Sequence, residues 1–439
     1  MKRRLSVVLA GLMVLTSMSV SFAAQGKKTE VIDSVFPLAT PEVKGKSAVV
    51  VLKNAVEMSD MVSGADNGAA RSGGLGGLNL PSDEKPGLDS YEVVMDKPVF
   101  KYITDGAKAA QIYHLTFGFP LGGVEFVDRK DISKFADGEM RLKFEKKSSS
   151  VLDQSAKTVV GNRPIVSFSV SAGGKTPSTS NKAMLLSLPY SPSSGEDVSK
   201  LVLYRVEANG SVSQVANSLH KAVMTQHGDK PYIQALVGEP GTYAVGYKEV
   251  SYSDIKGWYK PYANFVMARG IMNEKKGMFS PNDPITRGDL AFYLKNMSDD
   301  RGGVSQSNFK DVPRSHPYAN SIDWAYARGL IKGYSDGSFK PDQVISRQEL
   351  AAMLYRYIEV DAQVPMPTLH QKQTFKDGGK IASYAKEAIS SLQQSGVING
   401  RGNGYFVPQA NVTRAECAKM IVTVMEGIMD GKNSFVWEQ

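Results

Sequence analysis

A chain of 439 residues, 42% hydrophobic and 22% charged, is long enough for more than one domain and apolar enough to build real cores. Its single cysteine excludes an internal disulfide framework. The formal charge of +8 is a modest basic excess that fits an anionic partner.

Lys2, Arg3 and Arg4 precede an apolar run from Leu5 to about Val20, and Ser21-Phe22-Ala23 places small residues at the −3 and −1 positions of a cleavage site. Residues 1–23 therefore read as a secretory signal peptide of bacterial style. The run is short of the roughly 20 residues of a spanning helix. No cysteine follows it for lipid attachment, and no later stretch is long and apolar enough to span a bilayer. The mature chain is expected to be secreted, with no membrane insertion after leader removal and a charge of +5, and to be held at the cell wall surface by another route. For an exported protein an acidic wall polymer is the expected partner, and no nucleic acid is.

Residues 24–61 are a mixed N-terminal segment with one strand-like run at 47–56, and residues 62–88 read as a Gly/Ser-rich linker. The GGLGG within it has no Gly-Lys-Thr/Ser after it and is not a phosphate loop. From 89 to 250 the period is two. Met140, Leu142 and Phe144 alternate with Arg141, Lys143 and Glu145, and Val166, Phe168 and Val170 alternate with serines. Asn209-Gly210 predicts a hairpin with a type I′ turn. An all-β, sandwich-like region without helical period is expected here.

After 250 the period becomes 3.6 and the chain repeats. Arg287, Arg347 and Arg414 fall 60 and 67 residues apart, as do Phe279, Phe339 and Phe406, each followed at the second place by proline. Gly270, Gly329 and Gly396 precede aliphatic pairs, Asp254, Asp311 and Asp377 open the units, and Tyr262, Tyr318 and Tyr384 each begin a first helix. Three helix–loop–helix units are expected, at 251–300, 306–360 and 372–426. Gly329 reads as a left-handed cap ending the first helix of its unit. Thr286, Ser346 and Thr413, with Asp289, Glu349 and Glu416 three places on, form capping boxes at the second helices, the Asp box being the weakest, and Ile285, Ile345 and Val412 stand as staples before them. Cys417 stands where the other units have Leu290 and Leu350, so it is a core residue rather than a nucleophile.

The boxes do not account for arginine at the first helical position, where the positive end of the helix opposes a cation. Two readings stay open: a small anion site beside free N–H groups, or a salt bridge to Asp254, Asp311 or Asp377.

The units resemble the S-layer homology module in three tandem copies. The resemblance rests on "FKDV" at 309–312, "FKD" at 375–377, "YANSIDWAYARGLIKGYSDGSFKPD" at 318–342 and the three Thr/Ser-Arg motifs. It implies an all-α triplet with a pseudo-threefold, three-lobed arrangement. It also implies non-covalent anchoring to the wall through an anionic, often pyruvylated, secondary cell wall polysaccharide linked to peptidoglycan. Glycan contact is then expected from Arg287, Arg347 and Arg414, with groove walls from Asp311, Asp377, Trp324, Gly333 and Gly400. The first unit departs, with "YSDI" for Phe-x-Asp-Val and Glu274 near the place of Gly333 and Gly400. Its own groove is therefore expected to be weak, and those served by Arg347 and Arg414 to matter most. The third unit has a longer lead-in, "VPMPTLHQKQT". Residues 150–250 are similar to a β-rich module often found before such triplets, which adds no known chemistry.

His114, His220, His227, His316 and His370 lack metal-ligand spacing, and no G-x-S-x-G occurs. Paired carboxylates meet only in space and stay open. No catalytic residue, metal ligand or cofactor is expected, and the chain is expected not to be an enzyme. A wall-held glycan hydrolase and a self-associating lattice subunit are the alternatives.

Overall fold

The computed structural model describes residues 17–22, 31–32, 42–52, 74–79, 88–97, 114–126, 138–176, 184–223, 230–298, 300, 306–307, 309–362 and 366–432. Its strands are β1 (Ser17–Phe22), β2 (Val31–Ile32), β3 (Glu42–Lys44), β4 (Ser47–Leu52), β5 (Gly74–Asn79), β6 (Ser90–Met95), β7 (His114–Phe119), β8 (Gly122–Phe126), β9 (Met140–Lys146), β10 (Ile165–Ala172), β11 (Met184–Pro189), β12 (Leu201–Val206), β13 (Val212–Val215), β14 (Leu219–Val223), β15 (Lys230–Val237) and β16 (Gly241–Tyr247). They form two eight-stranded sheets, ordered β14-β15-β11-β8-β7-β5-β1-β2 and β13-β12-β16-β10-β9-β6-β4-β3. The pairs β4·β6 and β5·β7 are parallel and the other pairings antiparallel.

The period-two reading holds at β9 and β10, where Met140, Leu142, Phe144, Val166, Phe168 and Val170 are all buried. They meet Phe117, Phe119, Val124 and Leu186 of the opposite sheet in one core. Phe119 crosses to Phe144 at 5.1 Å between centroids, and Phe144 stacks on Phe168 at 5.6 Å.

Several expectations are corrected. The region contains a helix, α1 (Gln154–Val160), capped by Asp153, whose carboxylate accepts from Ala156 N at 2.7 Å. Seven residues show too few turns for a 3.6 period to stand out. At the 207–211 hairpin only Gly210 takes positive φ (83°), so the turn is not type I′. Gly210 N donates to Glu207 O, and Asn209 instead accepts from Ser211 N at 3.0 Å. Gly74–Asn79, within the expected linker, is strand β5, because backbone pairing needs no side chains. The expected leader lies outside the described residues except for Ser17–Phe22, which is β1.

The C-terminal helices are α2 (Lys260–Ala268), α3 (Arg287–Ser298), α4 (Ala319–Ala327), α5 (Arg347–Arg356), α6 (Lys386–Gln394) and α7 (Arg414–Lys432). Each repeat holds two of them. Gly270, Gly329 and Gly396 leave the first helices with φ of 65°, 71° and 74°, as left-handed caps require. All three boxes close. Asp289, though shorter than Glu, accepts from Thr286 N at 2.9 Å while Asp289 N donates to Thr286 Oγ1 at 3.0 Å. The corresponding pairs are 3.0 and 3.4 Å at Ser346, and 3.0 and 3.2 Å at Thr413. Cys417 is fully buried in the helical core, and burial pushes its thiol far above the ordinary range.

The second helix of each repeat packs on the first helix of the next: α3 on α4, α5 on α6, and α7 back on α2. Isolated bridges join the helix lead-ins pairwise: Pro284 with Thr413, Thr286 with Val344, and Ser346 with Asn411.

The β-region docks on these helices. Leu185, Leu219 and Leu236 face out of the first sheet and belong to the helical core. Arg269, at the end of α2, is buried and donates to Ser218 O (2.7 Å), Ser199 O (2.8 Å) and Leu201 O (2.5 Å). Its guanidinium lies 3.6 Å from the Phe265 ring centroid, and burial lowers its pKa to about 9. The desolvation of this cation is offset by three carbonyl acceptors.

Candidate functional site: the junctions between repeats

The three arginines at the second-helix entrances are only 6%, 4% and 0% exposed at Arg287, Arg347 and Arg414. Each reaches into the loop of the next repeat. Arg287 donates through Nε to Phe339 O (2.8 Å) and through Nη2 to Lys332 O (3.3 Å). Arg347 donates to Phe406 O (3.0 Å) and Asn399 O (2.9 Å). Arg414 closes the cycle on the first repeat, at Phe279 O (2.6 Å) and Asn273 O (2.5 Å). Each cation also lies over the phenylalanine whose carbonyl it holds, at 4.6, 4.8 and 5.2 Å in the same order.

The helix N-termini are equally engaged. Arg287 N and Gly288 N donate to Gln343 O and Pro341 O, Arg347 N and Gln348 N to Ala410 O and Pro408 O, and Arg414 N and Ala415 N to Asp283 O and Pro281 O. The free N–H groups of the anion-site reading are thus taken by the neighbouring repeat. The carbonyls supplied to the guanidinium compensate a cation at the positive end of the helix.

The bridge reading is also corrected. Asp254, Asp311 and Asp377 each accept two backbone N–H groups of the Phe-x-Pro loop. Asp311 takes Phe339 N and Lys340 N at 2.8 and 2.7 Å, and Asp377 takes Phe406 N and Val407 N at 2.8 Å each. They clamp Ser280, Lys340 and Val407, which sit at φ of 56°, 58° and 58°. Those conformations cost energy for residues with a side chain, most of all for β-branched Val407.

Trp324 is fully buried, and its Nε1 donates to Asp300 Oδ2 at 2.9 Å. Gly333 is spare backbone in tight quarters: a Cβ there would meet the Phe309 ring and, at 2.8 Å, Ser338 O. At Gly400 it would meet Tyr405 O at 2.8 Å and Phe375 Cε1 at 3.2 Å. The first repeat has Tyr252 in the place of these phenylalanines, and burial, then the nearby Glu274, raise its hydroxyl's pKa.

The junctions differ in charge. Arg287 pairs with Glu349 at 3.0 Å, and Tyr334 Oη donates to the same carboxylate at 3.1 Å. Arg414 Nη1 donates to Tyr293 Oη at 2.8 Å. Arg347 makes no ion pair among the described residues. Burial, and next the charge of Arg401, push its pKa down. Arg401, about a third exposed, holds Glu416 at 2.7 and 2.9 Å. The second junction therefore gathers the guanidinium groups of Arg347 and Arg401 with the carboxylates of Glu416 and Asp377. Lys275, Tyr334 and Arg401 are the matching residues of the three loops, each within 4 Å of a box carboxylate. They were missed in the sequence because they differ in type and only the fold superposes them.

The cycle also corrects which groove Glu274 affects. Its loop is reached by Arg414 and not by Arg287, because each arginine serves the following repeat.

The S-layer homology domain model matches residues 251–291, 308–351 and 374–418. The chain carries three tandem S-layer homology (SLH) domains. It is similar to an amylopullulanase of Thermoanaerobacterium thermosulfurigenes, 30% identical over 42% of this chain and 10% of that protein. It is 28% identical to an endoglucanase of Bacillus sp. (strain KSM-635) over 40% of this chain and 18% of that one. A cellulosome-anchoring protein of Acetivibrio thermocellus is 32% identical over 34% of each chain. The chain thus spans a tenth to a third of the length of these relatives. SLH domains anchor proteins to the cell wall by binding its polysaccharide, and the family and the relatives support a cell-wall surface location. Among the described residues no helix is long and apolar enough to cross a membrane.

The expectation that the chain is not an enzyme is corrected by these relatives, since amylopullulanase and endoglucanase are enzymes. The similarity covers the SLH region, about 40% of this chain, and so bears on shared architecture rather than on a catalytic residue. Motif searching in one chain was blind to such company, because a module travels between proteins independently of their chemistry.

Proposed function

We propose that the chain is a secreted surface protein held to the wall by its SLH triplet, a three-lobed, pseudo-threefold body whose junctions bind an anionic secondary cell wall polysaccharide such as a pyruvylated one. The observation that carries this reading is the second junction, where Arg347 makes no ion pair among the described residues and Arg401, about a third exposed, stands near it. A carboxylate-bearing sugar would accept hydrogen bonds from an exposed guanidinium there. Arg287, Arg347 and Arg414, clamped in turn by loops that need Asp311, Asp377, Gly333 and Gly400, shape the junction floors, while Trp324, fully buried against Asp300, belongs to the core and not to a groove wall. Arg401 is the exposed contact. Three junctions on one chain multiply weak single-site affinities.

Sedimentation with purified wall sacculi tests this. Arg401→Ala is expected to weaken binding about tenfold, the worth of one charge-assisted hydrogen bond, with an unchanged melting temperature. Unchanged sedimentation would sink the assignment of the second junction. A second reading, a wall-held glycan hydrolase, is favoured by the names of the relatives. Release of reducing sugar from wall or plant glycans by the full chain would establish it.

A further inference from the structure

We propose that a polar cleft beside the first junction is an additional saccharide subsite, which takes the sugar residues next along the polymer. This inference rests on the wall-glycan reading above. The cleft has a volume of about 410 Å³, within the span of ligand pockets, roughly 300–1,000 Å³. Tyr355 at the end of α5 forms one side, Lys386, Glu387, Ser390 and Ser391 of α6 the floor, and Lys372 of the lead-in the other side.

The lead-in wall is built, not draped. Leu369 N and His370 N both donate to Gln394 O at 2.9 Å. Gln373 N donates to Gln393 Oε1 at 2.9 Å, and Gln393 Nε2 returns a bond to Gln371 O at 3.2 Å. The Met366 side chain lies so close to Gly427 that a Cβ there would stand 2.6 Å from Met366 Cε. This lead-in is what lengthens the repeat spacing from 60 to 67 residues.

The lining selects the ligand. Hydroxyls, a carboxylate and two ammonium groups both donate and accept, as sugar hydroxyls do in return. An apolar ligand would strip water from them without compensation. Lys372 and Lys386 outnumber Glu387, so a sugar bearing a carboxylate or phosphate is favoured over a neutral one. Tyr355 offers a ring to pack on, and its hydroxyl donates to Glu387 at 3.4 Å.

The cleft lies between α5 and α6, near the first junction. Arg356, next to Tyr355, lies close enough to Arg287 and Tyr384 for their charges to reach it. Tyr384 in turn stands two residues before Lys386, at the start of the same helix. A polymer lying across the surface of the first junction can pass over the start of α6 into the cleft.

Calorimetry of the full chain with polysaccharide released from wall sacculi, fractionated into short and long pieces, tests the subsite. Ser390→Trp fills the cleft, and Lys372→Glu with Lys386→Glu reverses its charge on exposed positions where folding is not at stake. Both are expected to weaken long pieces about fivefold or more, the worth of a hydrogen bond or two, and to leave short pieces unaffected. Unchanged affinity for long pieces in both variants would overturn the subsite while leaving the junction reading intact. Equal loss for short and long pieces would also overturn it. No binding of either piece by the unaltered chain would overturn the wall-glycan reading and this inference together.

Discussion

Arg347 and Arg401 stand at one junction and do different work. Arg347 is buried and holds two carbonyls, Phe406 O of a fully buried residue and the more open Asn399 O. Arg347→Ala is expected to lower unfolding free energy by about 3 kcal/mol, the cost of leaving buried acceptors unpaired, seen as a lower denaturation midpoint. Loss of wall binding in that variant would therefore report folding as much as recognition, which is why Arg401 carries the binding test. Glu349 links its junction to pH. Burial alone would raise its pKa, but Ser346, through its hydroxyl and N–H, the Arg287 charge and the Tyr334 hydroxyl outweigh it and hold the carboxyl below the ordinary range. A lowered folded pKa contributes stability that is present above the unfolded value of about 4.3 and is lost as pH falls through the folded one. Melting temperatures of the unaltered chain and of Glu349→Gln are expected to differ at about pH 6 and to converge toward about pH 3. A constant gap across that range would contradict the linkage.

The loop before each second helix is built around a trade between two positions. At 333 and 400 the neighbouring ring of Phe309 or Phe375 and the carbonyl of Ser338 or Tyr405 leave room for glycine only, whereas the first repeat carries Glu274 at this place. Gly333→Ala is expected to cost about 2 kcal/mol, typical of forcing extra atoms into packed space, whereas the same change at Gly329, with open space around it but φ of 71°, costs about 1 kcal/mol through backbone strain. Chemical denaturation of the two variants separates these cases. The acid at 274 is exposed to solvent, where a charge costs little.

Docking of the β-region on the helices makes the two interdependent. Arg269 spends its hydrogen bonds on β-region carbonyls, Gln214 Nε2 donates to Ala268 O at 2.5 Å, and Asn264 donates to Asp197 at 2.9 Å. Leu185, Leu219 and Leu236 complete the helical core. A fragment beginning at residue 251 would expose these apolar contacts and strip Arg269 of its three β-region carbonyls. Its helices are expected to melt lower than those of the full chain, with increased binding of a hydrophobic dye, and equal melting would show that the docking is not stabilising. An anchored protein built this way presents its β-region in a set orientation instead of swinging on a linker.

The sequence alone was enough for what depends on local periodicity and on short-range pairing: alternation in β9 and β10, the 3.6 period of the repeats, the capping boxes, the glycine caps and the core setting of Cys417. Each follows from residues a few places apart, and the repeat itself exposed the SLH family. What it left undecided was every partner supplied from far along the chain. Arg287, Arg347 and Arg414 were visible as a puzzle, but their acceptors lie 52, 59 and 135 residues away along the chain. Spacing along a chain does not say which repeat follows which around a closed ring. The same holds for Arg269, an arginine before a glycine like Arg328, which only the fold sends into the β-region while Arg328 turns to Asp300 and Asp361. Burial and the identity of acceptors are properties of assembled surfaces, and they decided which arginines hold the molecule together and which stay open to solvent.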